Sequence, residues 1–260
     1  MASYNISFAG AGRVAGALCM ELSAAGHKID LIVSESEKSC SNLAERCNAK
    51  WSRTPVFPES SDLIIVSVPD HRLKEVLSDL SCGPDTVVVH TAGSIGLNVF
   101  PATLPLSGVL YPLQTFSKER KVNFSDLPFF IEASAGDTLA LLSDIVESLG
   151  GKPYNVDSEH RILLHLAAVF TCNFTNHMLT AGNDIAEKAG FSFDVLRPLL
   201  IETIQKAFEL GPEKSQTGPA LRNDNNTIEK HLDLLSFSPE LQRLYREVTQ
   251  SIITGHNGKL

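Results

Sequence analysis

The stretch Asn5-Ile6-Ser7-Phe8-Ala9-Gly10-Ala11-Gly12-Arg13-Val14-Ala15 constrains the fold more than any other part of the sequence. Ile6 and Phe8 make a strand, and an alanine-rich helical pattern follows from Arg13 to Ala25. In the spacing between them, Gly10 permits a tight turn and Gly12 lets the backbone approach a pyrophosphate. Ala15 allows the helix to pack closely on the strand. The free N–H groups and positive dipole end of the helix then face the anion. Gly10, Ala11, Gly12, Arg13 and Val14 are therefore expected to hold the phosphates of a dinucleotide.

The next 140 or so residues repeat the alternation of strand and helix. Ile29–Val33 is a second strand, followed by a polar helix from Ser36 to Cys47. Leu63–Val68 has five apolar residues and one serine, the mark of a central parallel strand covered on both faces. Thr86–Val89 is similar, and between these two strands Leu73, Val76, Leu77 and Leu80 fall at helical spacing. Strands joined by crossover helices imply a doubly wound parallel sheet of the Rossmann type. Gly108–Tyr111 and Phe129–Ala133 extend it, with a helix from Asp137 to Leu149 ended by Gly150 and Gly151. Beyond Pro153 no strand period remains. Four helical segments follow, the first starting at a cap on Asp157 or Ser158 and running to Lys188, the others near 193–210, 227–235 and 239–254. The fold class is α/β followed by an all-α domain, with residues 1–155 as the dinucleotide-binding domain and 156–260 as the helical substrate and dimerisation domain.

Lysine and arginine number 22 against 30 acidic residues, a net charge of −8, so nothing attracts the chain to phosphate backbones or anionic lipid. Neither nucleic acid nor a membrane is expected as a partner. The longest apolar run, Ile162–Phe170, is interrupted by His165 and is shorter than the roughly 18 residues of a spanning helix. Met1–Gly10 lacks the basic and apolar regions of a signal peptide, which points to the cytoplasm. Five cysteines form no C-x-x-C pair, and their odd number fits reduced thiols.

A carboxylate at the end of the second strand marks NAD by bonding the ribose 2′-hydroxyl, and Glu35, following Ser34, takes that place. Lys38 and Arg53 are nearby cations that would suit NADP, and capping of the next helix is an alternative role for Glu35. Ligands on such sheets lie beyond the carboxyl ends of the strands, where Val68 and Pro69 and then His90, Thr91 and Ser94 emerge. His90 can donate or accept a proton near neutral pH, and Thr91 and Ser94 offer hydroxyls to a carboxamide or substrate oxygen. On the long helix, at about 100° per residue, His165, Val169, Asn173, Asn176 and His177 share a sector of roughly 120°. Such a polar stripe on an apolar helix must find partners or face a cleft. Cys172 and His177 project about 140° apart, so no metal site is expected from His165, Cys172 and His177. In Gln216-Thr217-Gly218-Pro219-Ala220-Leu221-Arg222 the glycine and proline set a rigid turn, and Arg222 can pair with a carboxylate or phosphate.

With these residues in place, the chain resembles the Rossmann-like family related to pyrroline-5-carboxylate reductase and 6-phosphogluconate dehydrogenase that carries an uncharacterised helical C-terminal domain. Its members are often labelled deazaflavin-type NADP oxidoreductases. The matching segments are the glycine loop, V-V-V-H-T-A-G-S at 87–94, Y-P-L-Q-T-F-S at 111–117, H-L-A-A-V-F-T-C-N-F-T-N-H at 165–177 and T-G-P-A-L-R-N-D at 217–224. The resemblance implies a polar residue on the long helix facing the nicotinamide, which selects His165 for proton transfer and Asn173 for substrate orientation. It also implies that the loop with Thr217 and Arg222 closes over the substrate, sometimes across a dimer. Ser94, beyond its strand end, and His177, on the helical stripe, are by position the further candidate substrate contacts. Two positions depart from the family: Glu35 stands where NADP-binding relatives carry a basic residue, and Asn223 where T-G-P-x-x-R-G-D has glycine. The helical stripe also lacks the lysine of the 6-phosphogluconate dehydrogenases.

Two functions follow. One is an oxidoreductase moving hydride between NADP or NAD and a small, anionic imine, carbonyl or hydroxy substrate held between the domains of a homodimer. The other is a dinucleotide-binding sensor without turnover, whose helical domain serves dimerisation or signalling.

Overall fold

In the computed structural model, which describes residues 2–117 and 120–257, the glycine loop joins β1 (Asn5–Ala9) to α1 (Arg13–Ala24). Ala15, Leu18, Cys19 and Leu22, at helical spacing, are the buried face of α1 against the sheet. The chain continues through β2 (Lys28–Val33), α2 (Glu37–Arg46), β3 (Lys50–Ser52), β4 (Leu63–Val66), α3 (Asp70–Asp79), β5 (Val87–His90), β6 (Ser107–Pro112), β7 (Pro128–Ala133), α4 (Gly136–Ser148), β8 (Lys152–Asn155) and α5 (Ser158–Ala168). Among the described residues the strands form one eight-stranded sheet in the order β3-β2-β1-β4-β5-β6-β7-β8. The direction of winding reverses between β1 and β4, which opens a crevice at their carboxyl ends.

Every residue of β4 and β5 is buried, because the sheet has a core on each face. Ile6, Phe8, Leu63, Ile65, Val87 and Val89 point into one core with α1 and α4. Ala9, Ile64, Val66 and Val88 point into the other, with Leu73 and Leu77 of α3. The sheet is parallel from β3 through β6, as expected, but β7 runs antiparallel to β6 and β8 parallel to β7. The described residues between β6 and β7 carry no helix, so the chain lacks the crossover that a parallel return needs.

The chain divides into two units, Met1–Thr171 and Cys172–Leu260. The first extends past the position near 155 at which the strand pattern stops, because α5 is anchored to the sheet. Its Arg161 side chain is 0% exposed and donates to Glu132 of β7 at 2.8 Å. The Asp157 side chain caps α5 as the sequence suggests, accepting from the His160 N–H. At Val169–Phe174 the helix becomes a π-helix before α6 (Thr175–Lys188). Each i→i+5 turn takes an extra residue, so the stripe counted at 100° per residue does not keep its phase beyond Val169. By length and composition the 31-residue helix Ser158–Lys188 is apolar enough to cross a membrane, and none of its most apolar window is buried. The run at 162–170 is thus part of a longer apolar helix.

The second unit holds α6, α7 (Arg197–Leu210), α8 (Pro212–Ser215), α9 (Asn225–Leu234) and α10 (Pro239–Asn257). Gly211, with φ +87°, ends α7, and the Asp224 side chain caps α9 by accepting from Thr227. Among the described residues the buried apolar ones here are few: Ala220, Ile228, Leu232 and Leu235. No residue of α7 is buried.

Candidate functional site

The carboxyl ends of β1, β4 and β5 bring together most of the residues that the sequence singles out in the first unit. The Gly10 N–H donates to the Val33 carbonyl at 2.7 Å, and the Ser67 N–H to that of Ala9 at 2.8 Å, so the loop is tied to strands on both sides. Gly10 has φ +113°, and a Cβ there would lie 2.1 Å from the Ser67 carbonyl oxygen. Gly12 is different. It is the N-cap of α1 with φ −79° and ψ −166°, and a Cβ there would meet no atom within 4 Å. No side chain caps α1, and its first turn holds no acidic residue. The first-turn N–H groups of Arg13 and Val14 thus border open space, a cradle that fits a pyrophosphate. Val68 and Pro69 follow β4 on the other side of Gly10, with a Val68 methyl 3.4 Å from the Cβ position. Thr91 closes the floor, its hydroxyl donating to Ser67 Oγ at 3.2 Å, while the Ser94 hydroxyl donates to Asp70.

Ser34 holds the end of β2 through its N–H, which donates to the Ser52 carbonyl. Glu35 is exposed and paired with Arg72 in the first turn of α3, at 2.7 Å and 3.4 Å from its two terminal nitrogens. That pair holds the Glu35 carboxyl below the usual carboxylate range, with Arg53 adding to the effect. The Ser36 hydroxyl caps α2, which leaves Glu35 out of that role. Arg72 is absent from the sequence reading because it lies 37 residues from its partner.

Further along the same edge, Tyr111 at the end of β6 and His165 of α5 form a hydrogen bond of 3.0 Å. Both rings press on Gly93: a Cβ there would lie 2.7 Å from His165 Nδ1 and 2.7 Å from Tyr111 Cζ. Burial raises the Tyr111 hydroxyl above its ordinary pKa, so the phenol keeps its proton and its oxygen shares a hydrogen bond with His165 Nδ1. Arg161, one helical turn before His165, donates to the Gly93 carbonyl at 3.3 Å and to Glu132. Ser158 donates to Glu132 and accepts from the Leu97 N–H. The loop after β5 is thereby clamped at Gly93 and Leu97. None of Tyr111, Glu132, Ser158 and Arg161 has a site role in the sequence, where Ser158 is only a candidate cap and Tyr111 a strand end. The only signal for Arg161 was a charge within an apolar helical pattern.

His90 is fully buried, stacks on Phe100 at 5.4 Å and accepts the Ala92 N–H at Nδ1. Burial, with Arg161 beside it, pushes its imidazole down to about 4. At that value the ring is neutral near pH 7, which suits accepting a proton rather than giving one from the charged form. Its contacts with Phe100 and the Ala92 N–H also hold the start of the loop after β5. Its folded pKa lies below the ordinary 6.5, so the unfolded chain binds the extra proton and the folded state loses stability as pH falls from 6.5 to about 4. The loss should be on the order of 3 kcal/mol. Urea unfolding across that range should show it for the wild type, and His90→Gln should remove most of the difference. Equal slopes would contradict it.

In the second unit, Asn173 and His177 are exposed, the former within the π-helix and the latter in α6. Gly218, with φ +105°, and Asn223, with φ +52°, turn the chain between Thr217 and Asp224, and Ala220 is buried beneath the turn. Asparagine tolerates the left-handed conformation, so the departure from glycine at 223 keeps the loop's shape. Arg222 lies close enough to Asp224 to help hold that carboxyl below its usual range.

The Rossmann-like domain family matches residues 2–113, and the family described as a domain of unknown function (DUF2520) matches residues 127–252. Among solved structures, a Bacteroides fragilis protein provisionally named an NADP oxidoreductase is 41% identical, covers 96% of this chain and 98% of its own, and superposes with a TM-score of 0.86. A pyrroline-5-carboxylate reductase from Coxiella burnetii is 18% identical with a TM-score of 0.58, covering 99% of this chain and 98% of its own. A reductive aminase from Aspergillus terreus, solved with NADPH and ethyl-5-oxohexanoate, is 13% identical with a TM-score of 0.74, covering 98% and 95%. The last two share the fold. No protein of curated function matches the chain.

Proposed function

The chain belongs to the family of the Bacteroides fragilis protein, a Rossmann-like domain joined to DUF2520, and on that premise we propose that it is an NADP- or NAD-dependent oxidoreductase acting on a small imine, carbonyl or hydroxy compound. The observation that carries the reading is the open, uncapped cradle at Gly12 with the Tyr111–His165 pair on the same edge of the sheet. Gly10, Ala11, Gly12, Arg13 and Val14 hold the pyrophosphate, with Ser34, Glu35, Val68, Pro69 and Thr91 around them. The bound nicotinamide supplies or accepts the hydride. With Tyr111 as the donor to its Nδ1, His165 holds a proton at Nε2 for the substrate heteroatom, and Arg161 and His90 keep the Gly93 loop in place. The imine class is favoured by the names of the reductive aminase and the pyrroline-5-carboxylate reductase. Asn173, His177, Thr217 and Arg222 belong to the second unit, and the reading does not rest on them. Incubation with NADPH or NADH and a panel of cyclic imines, ketones with amines, and keto acids should oxidise the cofactor with at least one imine. Dinucleotide binding without turnover of any of these would favour the non-catalytic sensor.

The reading includes a homodimer in the cytoplasm. Leu199, Ile201, Ile204, Phe208 and Leu210 lie on α7 at least half exposed, Phe208 at 89%, in a unit that has four buried apolar residues among those described. So small a core does not offset the entropy of ordering five helices, and a second copy would cover this surface. Light scattering should give twice the 28.2 kDa of one chain, and Phe208→Asp should dissociate or unfold it. A wild-type monomer at micromolar concentration, or partition of the protein into lipid vesicles, would contradict the dimer.

A further inference from the structure

We infer that Arg72 is the residue that recognises the 2′-phosphate of NADP, and that Glu35 is the resident competitor this phosphate displaces. The inference rests on the dinucleotide reading above and adds to it a determinant of cofactor choice. β2, β1 and β4 are neighbours in the sheet. Glu35 stands two residues beyond the end of β2, and Arg72 stands in the first turn of the helix that follows β4. Their ion pair therefore spans the carboxyl end of β1, beside the turn whose Gly10 N–H is bonded to Val33. The adenosine ribose of a dinucleotide lies at this end of β2.

The pair presents both halves of a choice. A free carboxylate at Glu35 would accept the ribose 2′-hydroxyl of NAD and repel the additional phosphate of NADP. Here both terminal nitrogens of Arg72 engage it, and Nε of Arg72 engages Glu75 at 3.0 Å. Glu75, one turn further along α3, orients the guanidinium and leaves its outer edge toward Glu35. A phosphate monoester carries about two negative charges and three acceptor oxygens, so it outcompetes a single exposed carboxylate for a bidentate guanidinium. Because the Glu35 side chain is 76% exposed, it can leave for solvent with little hindrance. The site accordingly takes NADP through Arg72 and NAD through Glu35, and the contest between the two side chains sets the preference.

Calorimetric titration of the full chain with NADP and with NAD tests this without reference to turnover. Arg72→Gln should weaken NADP about tenfold or more while leaving NAD within about twofold, and Arg72→Lys should recover part of the loss. Glu35→Gln should tighten NADP and weaken NAD, moving the ratio of the two affinities about tenfold toward NADP. Equal weakening of both dinucleotides by Arg72→Gln, or an unchanged ratio in Glu35→Gln, would overturn the inference and leave the dinucleotide reading standing. A wild type that binds neither dinucleotide would overturn both.

Discussion

Gly12→Val should leave the protein folded and weaken its binding of a nicotinamide dinucleotide by about 100-fold or more. The backbone at Gly12 is extended in a way any residue adopts, and a Cβ there meets nothing within 4 Å. A branched side chain would therefore intrude only on what sits in the cradle. Gly10→Ala should do the reverse. Its φ of +113° and the 2.1 Å approach to the Ser67 carbonyl oxygen force strain on the β1 to β4 connection. The expected cost is at least about 3 kcal/mol of stability, read as a lowered melting temperature. If Gly12→Val binds the dinucleotide as the wild type does, the pyrophosphate does not lie on α1.

His165→Ala should lower kcat by about 10²- to 10⁴-fold on whichever substrate is turned over, the range for loss of a positioned proton donor. Its affinity for the dinucleotide should stay within a factor of about two, since the ring touches Gly93 and Tyr111 rather than the glycine loop. Tyr111→Phe should cost less, about tenfold, and shift the pH profile of kcat, because it removes the hydrogen bond to His165 Nδ1 and leaves the ring in place. A kcat unchanged by His165→Ala would assign the proton transfer elsewhere.

What could be read from the sequence was whatever is local. The glycine loop, the buried strands β4 and β5, the helix starts at Arg13 and Asp157 and the break at Gly211 are each specified by residues within a few positions of one another. The site was legible to the same extent: Gly10 through Val14, Val68, Pro69, Thr91 and Ser94 meet because strand ends meet. The pairs that give the site its chemistry were not. Tyr111 reaches His165 across 54 residues, Arg72 reaches Glu35 across 37 and Arg161 reaches Glu132 across 29, and no periodicity announces them. The lowered His90 pKa was not legible either, since it depends on burial in the folded sheet and on Arg161, 71 residues away. The reversal at β7 and the π-helix at Val169–Phe174 likewise follow from where the chain must pack.

The most direct measurement is a crystal structure of the protein with NADPH. The account predicts the pyrophosphate against the N–H groups of Gly12, Arg13 and Val14, with the nicotinamide ring beside Gly93 and Ser94, close enough for a substrate to bridge it to His165. A dinucleotide bound away from the glycine loop would contradict the account. So would a nicotinamide more than about 15 Å from His165, since proton transfer needs hydrogen-bond range.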